Sequence, residues 1–130
     1  MTDHPNLELL RRGYAAYSAG DMDTISEIFH DDVVWHVAGH NPLSGDYKGK
    51  EQVFGFFGKL MELTDGTSKV EAHDLLANDE HGVALVKESG TRNGRSHEGN
   101  ATHVFHILDG KVTEFWDAQV DQYAADEFWA

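Results

Sequence analysis

The chain has 130 residues, with 23 acidic against 10 basic side chains, a formal charge of −13 and no cysteine. That length fits one domain, 1–130, able to enclose a core with a modest ligand cavity, and an acidic field without a Lys/Arg cluster argues against nucleic-acid or membrane-surface partners. Disulfide scaffolds, thiolate zinc sites and cysteine nucleophiles are excluded; with no leader pattern or bilayer-length apolar run, a cytoplasmic protein is expected.

Asn6 is expected to cap a first helix on which Leu7, Leu10, Tyr14 and Tyr17 recur at helical spacing. Gly20 can close it in the left-handed conformation, and Asp21 caps a second short helix carrying Ile25, Ile28 and Phe29. Asp31-Asp32 then open a strand, Val33 to Val37. Residues 38–49 hold three glycines and Pro42 and read as a loop over the mouth of the domain. A third helix, Lys50 to Leu63, carries Val53, Phe56, Phe57, Leu60 and Met61, and Thr64-Asp65-Gly66 ends it.

From Ser68 the apolar period changes to two. Strands are expected over Val70 to Ala77 and Val83 to Thr91, with a hairpin at Arg92-Asn93-Gly94-Arg95 leading to a strand from Ser96. Asp109-Gly110 lies between the apolar-rich runs Ala101–Leu108 and Lys111–Val120, the strongest short-range hairpin signal in the chain. Asp121 can cap a last helix, Gln122 to Trp129. Helices first and strands afterwards indicate an α+β fold: a bent antiparallel sheet with helices packed on its concave side.

The register of the Asp109-Gly110 hairpin decides which side chains share a face. A two-residue turn pairs Leu108 with Lys111 and sets Asp117 beside Thr102, Val104 and His106. A three-residue loop pairs Ile107 with Lys111 and gathers His103, Phe105, Ile107, Phe115 and Asp117, leaving Val104, His106, Val112, Glu114 and Trp116 outside. The second is preferred, because it builds an aromatic floor around one carboxylate and one imidazole.

Three stretches, GYAAYSAGDMDTISEIFHDDVVWHVAG, PLSGDYKGKEQVFGFF and HVFHILDGKVTEFWD, together resemble the nuclear transport factor 2-like superfamily, and within it the SnoaL-like and ketosteroid-isomerase-related proteins. The resemblance runs from about Leu7 to Tyr123 and implies a cone-shaped, cystatin-like α+β barrel with an interior pocket, commonly a homodimer. The isomerases' base, tyrosine and second acid fall here on Val37, Gly13 and His103, so steroid isomerisation by that set is not expected. SnoaL-like polyketide cyclases place an aspartate late in the final strand, matching Asp117, and a histidine on its neighbour, resembling His103. The limonene-epoxide-hydrolase pattern lacks its arginine and one acid.

Asp117 and His103 are therefore the candidate catalytic pair. A carboxylate among Phe105 and Phe115 is destabilised as the anion and can shuttle a proton near neutral pH; the plain alternative is a solvated aspartate near a strand end, pairing with Arg92 or Arg95. His103 can hold a substrate oxygen or share the proton, or be a satisfied strand histidine. Tyr17, Trp35, Phe57, Phe105 and Phe115 are the candidate ligand-binding residues. His36 points away from Trp35 on a regular strand. His30, His36 and His40 do not converge from strand and loop, nor do His103 and His106, on opposite faces; no metal and no cofactor are expected. Two functions fit: a cofactor-free enzyme transferring protons on a hydrophobic carbonyl compound, as an isomerase or cyclase, or a non-catalytic domain of the same fold that binds a small ligand or dimerises.

Overall fold

Helix α1 (Pro5–Ala19) opens the computed structural model of the protein, which describes residues 3–130. Pro5 sits in the first turn, where its missing N–H is not needed, and the cap is His4, whose Nδ1 accepts from the Asn6 N–H at 3.0 Å. Asn6, the expected cap, is instead buried, and its amide donates to the carbonyls of Asn78 and Asp79 at 2.9 and 3.1 Å. It ties the helix to the sheet. Gly20 closes α1 at φ 71°, and Asp21 caps α2 (Met22–Ile28) by accepting from the Thr24 N–H at 3.1 Å.

Strand β1 (Phe29–Val37) begins four residues earlier than expected, at Phe29, with an irregularity between Phe29 and Val34. The expected 38–49 loop is shorter too, because β2 (Gly45–Lys48) pairs antiparallel with β1. Helix α3 (Gly49–Leu63) follows and stops where Asp65 and Gly66 take positive φ. Next come β3 (Lys69–Ala77), β4 (His81–Arg92), β5 (Arg95–Leu108), β6 (Lys111–Gln119) and α4 (Gln122–Trp129), the last capped by Asp121.

The six strands form one curved, unclosed sheet in the order β2-β1-β6-β5-β4-β3, with the helices on its inner side: an α+β fold of the cystatin-like class. Every junction is antiparallel except β1 against β6, which is parallel. The core lies between sheet and helices, around Val33, Trp35, Val53, Phe57, Val86, Phe105 and Phe115. Among the described residues no helix is long and apolar enough to cross a membrane.

The central hairpin combines features of both registers. Leu108 pairs with Lys111 and both Asp109 and Gly110 have positive φ, at 50° and 75°, which is the two-residue turn rather than the preferred three-residue loop. A bulge then admits Thr113 as an extra residue: Ile107 pairs with Val112 but His106 with Glu114. Beyond it His103 opposes Asp117 and Phe105 opposes Phe115, so the expected inner face forms, two residues out of the expected pairing. Val112, expected outside, lies before the bulge and is buried in the core at 2% exposure.

Candidate active site

Period-two alternation carries the site. Ala84, Val86 and Glu88 of β4, His103 and Phe105 of β5, and Phe115, Asp117 and Gln119 of β6 point to the inner face, where Tyr14 and Tyr17 of α1 meet them. His103, 6% exposed, is held at both ring nitrogens: Nδ1 lies 2.6 Å from the Tyr14 hydroxyl and Nε2 lies 2.7 Å from Glu88 Oε1. Gln119 Nε2 donates to Glu88 Oε2 at 2.6 Å and to Asp117 Oδ1 at 3.0 Å, bridging the two acids.

The two carboxyls differ in charge state. Burial raises the pKa of Glu88, but the hydrogen bond and charge of His103, with the bonds from Gln119 and Asp117, outweigh it and hold the group below its ordinary range. Asp117 is pushed from 3.8 to about 7, first by burial and then by the negative charge of Glu88, with His103 and Gln119 only partly opposing. An ionised Glu88 accepts only, so the imidazole Nε2 donates to it, and the Tyr14 hydroxyl meets the other ring nitrogen. Burial, then the charges of Glu88 and Asp117, raise the Tyr14 pKa and keep it a neutral donor.

An aromatic-walled cavity of about 140 Å³ opens beside these groups. Trp35 and Phe115, paired across β1 and β6, stack with centroids 3.5 Å apart, and Phe57 meets Trp35 edge-on at 5.4 Å. Tyr17 packs on Phe57, and its buried hydroxyl has no hydrogen-bond partner. Burial and then the Glu88 charge push that phenol up to about 12, so it too stays a donor. Ala38, Asn41 and Leu43 of the loop and Gln122, Ala125, Phe128 and Trp129 of α4 line the same cavity.

The donor atoms of Glu88, His103 and Asp117 lie within 4.8 Å of one another, the one such trio among the described residues. Within that trio His103 Nε2 faces Glu88 Oε1 at 2.7 Å, and its Nδ1 faces the Tyr14 hydroxyl at 2.6 Å. His36 faces outward, between Asp46 and Glu114 at 2.6 Å each.

The family model of the SnoaL-like domain matches residues 10–115. The chain belongs to the SnoaL-like family. This SnoaL-like domain is 30% identical, over the whole of both chains, to the uncharacterized protein Rv0034 of Mycobacterium tuberculosis. It is 35% identical to Bal32a, from a soil-derived mobile gene cassette, with a TM-score of 0.93 and 97% of each chain covered. An NTF2-like protein of Burkholderia pseudomallei, 20% identical, shares the fold at a TM-score of 0.87, covering 98% of this chain and 99% of its own.

All seven residues singled out from the sequence line the cavity of this SnoaL-like domain: Asp117 and His103, with Tyr17, Trp35, Phe57, Phe105 and Phe115. Arg92 and Arg95 are not partners of Asp117; they donate to the carbonyls of Glu127 and Phe128 in α4 and of Ala130 after it. Glu88, Tyr14 and Gln119 escaped the sequence reading. Counting by twos from Ala84 and Val86 places Glu88 inside, and Tyr14 lies on the Leu10–Tyr17 stripe, so both signals were present but looked like a polar hairpin arm and a core residue.

Proposed function

We propose that the protein is a small enzyme that moves a proton at carbon α to a carbonyl of a hydrophobic compound, with Asp117 as the proton carrier. The observation that carries this reading is the placement of Asp117 in an aromatic cavity beside Glu88, where burial and that like charge push its pKa up to about 7. Such a group can take a proton and return it in one catalytic cycle.

In the forward step the Asp117 carboxylate takes the α proton, and the C–H electron pair moves through carbon to the carbonyl oxygen, giving an enolate. Tyr17, the buried hydroxyl without a partner, donates to that oxygen. The protonated Asp117 then returns its proton to another carbon of the enolate, completing an isomerisation. In an aldol closure the enolate carbon instead attacks a second carbonyl of the same molecule, and the proton goes to the new alkoxide. His103 was the expected oxygen holder, but both its nitrogens are engaged, which makes it a positioning residue in this reading: it fixes Glu88, whose charge raises Asp117.

The cavity is close in size to an engineered apolar cavity of about 150 Å³ that takes up benzene, so one ring is the scale of the substrate. The test is deuterium incorporation at the α carbons of a cyclic ketone of that size, followed by NMR in D2O. The protein should accelerate it, and Asp117→Asn should lose at least about 100-fold, the usual scale of an acid–base contribution. Equal rates with Asp117→Asn would remove the proposal. Binding without any exchange would favour the alternative, a non-catalytic ligand-binding domain.

A further inference from the structure

The cavity holds an imbalance of charge that the proton-transfer reading does not use. Its ionisable lining groups are Tyr14 and Tyr17 from α1, Glu88 from β4, His97 and His103 from β5, and Asp117 from β6; among the described residues no lysine or arginine lines it. Two carboxyls therefore face one enclosed space, and the nearest imidazole, His103, is engaged by Glu88 and Tyr14. His103 partners Glu88 and leaves Asp117 with the Gln119 amide at 3.0 Å; a buried carboxylate without a close counter-charge is costly, and a ligand that brings a positive charge relieves that cost. A ligand that brings a negative charge adds to it, with no cationic side chain in the lining to offset it.

The walls favour the same kind of ligand. Trp35, Phe57, Phe115 and Tyr17 present rings in mutual contact around the cavity. The face of an aromatic ring attracts a cation within about 6 Å, most strongly when both are shielded from water. Aromatic faces plus two carboxyls that share one imidazole, within a volume that takes one ring, define a site for an organic ammonium ion rather than for a carboxylate of the same shape.

We propose that the cavity binds single-ring primary amines as their cations, with Asp117 and Glu88 as the counter-charge and the Trp35–Phe115 stack as the wall. The inference rests on the cavity and not on the proton-transfer reading: amines can bind whether or not any ketone exchanges, and the reverse.

Three probes of nearly equal shape test it by titration calorimetry at about pH 8, with EDTA present to remove metal ions: benzylamine, benzyl alcohol and benzoate. Benzylamine should bind about tenfold or more tightly than benzyl alcohol, and benzoate should show no binding, the order expected when the charge of the ligand decides. In Asp117→Asn the benzylamine affinity should fall about tenfold while benzyl alcohol changes less than about twofold, which also reports that the cavity is still formed. Benzoate binding as tightly as benzylamine in the unmodified protein would overturn the proposal. So would benzylamine affinity that is unchanged in both Asp117→Asn and Glu88→Gln.

Discussion

His103 and Asp117 stand directly opposite each other across β5 and β6, yet His103 Nε2 is 3.7 Å from Asp117 Oδ1 and only 2.7 Å from Glu88 of the next strand. The imidazole proton thus serves Glu88. That keeps Glu88 ionised and leaves Asp117 beside a like charge in a desolvated place, which is what brings its pKa to about 7.

The first consequence concerns stability. Between the ordinary aspartate value and about 7 the folded protein holds a proton at Asp117 that the unfolded chain has released, so this group makes stability fall as pH rises through that window and then level off. The fall is up to about 4 kcal/mol, at about 1.4 kcal/mol per unit. Asp117→Asn should flatten it and raise stability at about pH 8, as read from urea denaturation at a series of pH values. A variant with an unchanged pH profile would contradict the assignment.

Removing His103 has the opposite sign. His103→Ala leaves Glu88 buried without its counter-group, and breaking one side of such a pair costs about 3–5 kcal/mol. Adding Glu88→Gln should recover part of that loss. Denaturation midpoints for the single and double variants check it; additive losses would show that the two side chains do not act as a pair.

Much of this arrangement is legible in the chain: alternation puts Phe105 with Ile107 and Phe115 with Asp117, and the preferred register joins the two sets on one face, which forms although the turn itself is the other one. The turn was harder. Asp109-Gly110 favours the two-residue form that occurs, but the bulge at Thr113 has no side-chain signature, and it alone reverses Val112 from the outer to the inner face. Strand β2 was hidden because Gly45-Asp46-Tyr47-Lys48 has the composition of a loop and becomes a strand only by pairing with β1. Glu88 was missed because a charged residue in a polar run reads as solvent-facing unless its strand is followed inward.

The outer face of the sheet bears the next prediction. Trp116 lies there half-buried, stacked on His36 at 5.1 Å and against His106 at 4.7 Å, with Val104 beside it as its cross-strand partner on β5. Burying a large aromatic is worth about 1.5–3 kcal/mol, and a two-fold dimer would bury both copies. The charge of −13 opposes this at long range, but salt at about 0.15 M screens beyond about 8 Å. Sedimentation should show a dimer that Trp116→Glu converts to a folded monomer; a dimeric Trp116→Glu would place the interface elsewhere.

At the mouth, Asp126 of α4 accepts from the His40 N–H at 3.1 Å and from the Asn41 amide at 2.8 Å, fastening the 38–44 loop to the last helix. Asp126→Ala should therefore speed hydrogen exchange in the loop, and a cavity ligand should slow it in the unmodified protein. Exchange that responds to neither would mean that the loop does not gate the cavity.

The central claim, that Asp117 exchanges its proton near neutrality, is tested most directly by following its side-chain carboxyl carbon through a ¹³C NMR pH titration, with Asp117→Asn used to assign the signal. The account predicts a midpoint near 7, with Glu88 already ionised below that point. An Asp117 midpoint at or below the ordinary value of 3.8 would contradict it.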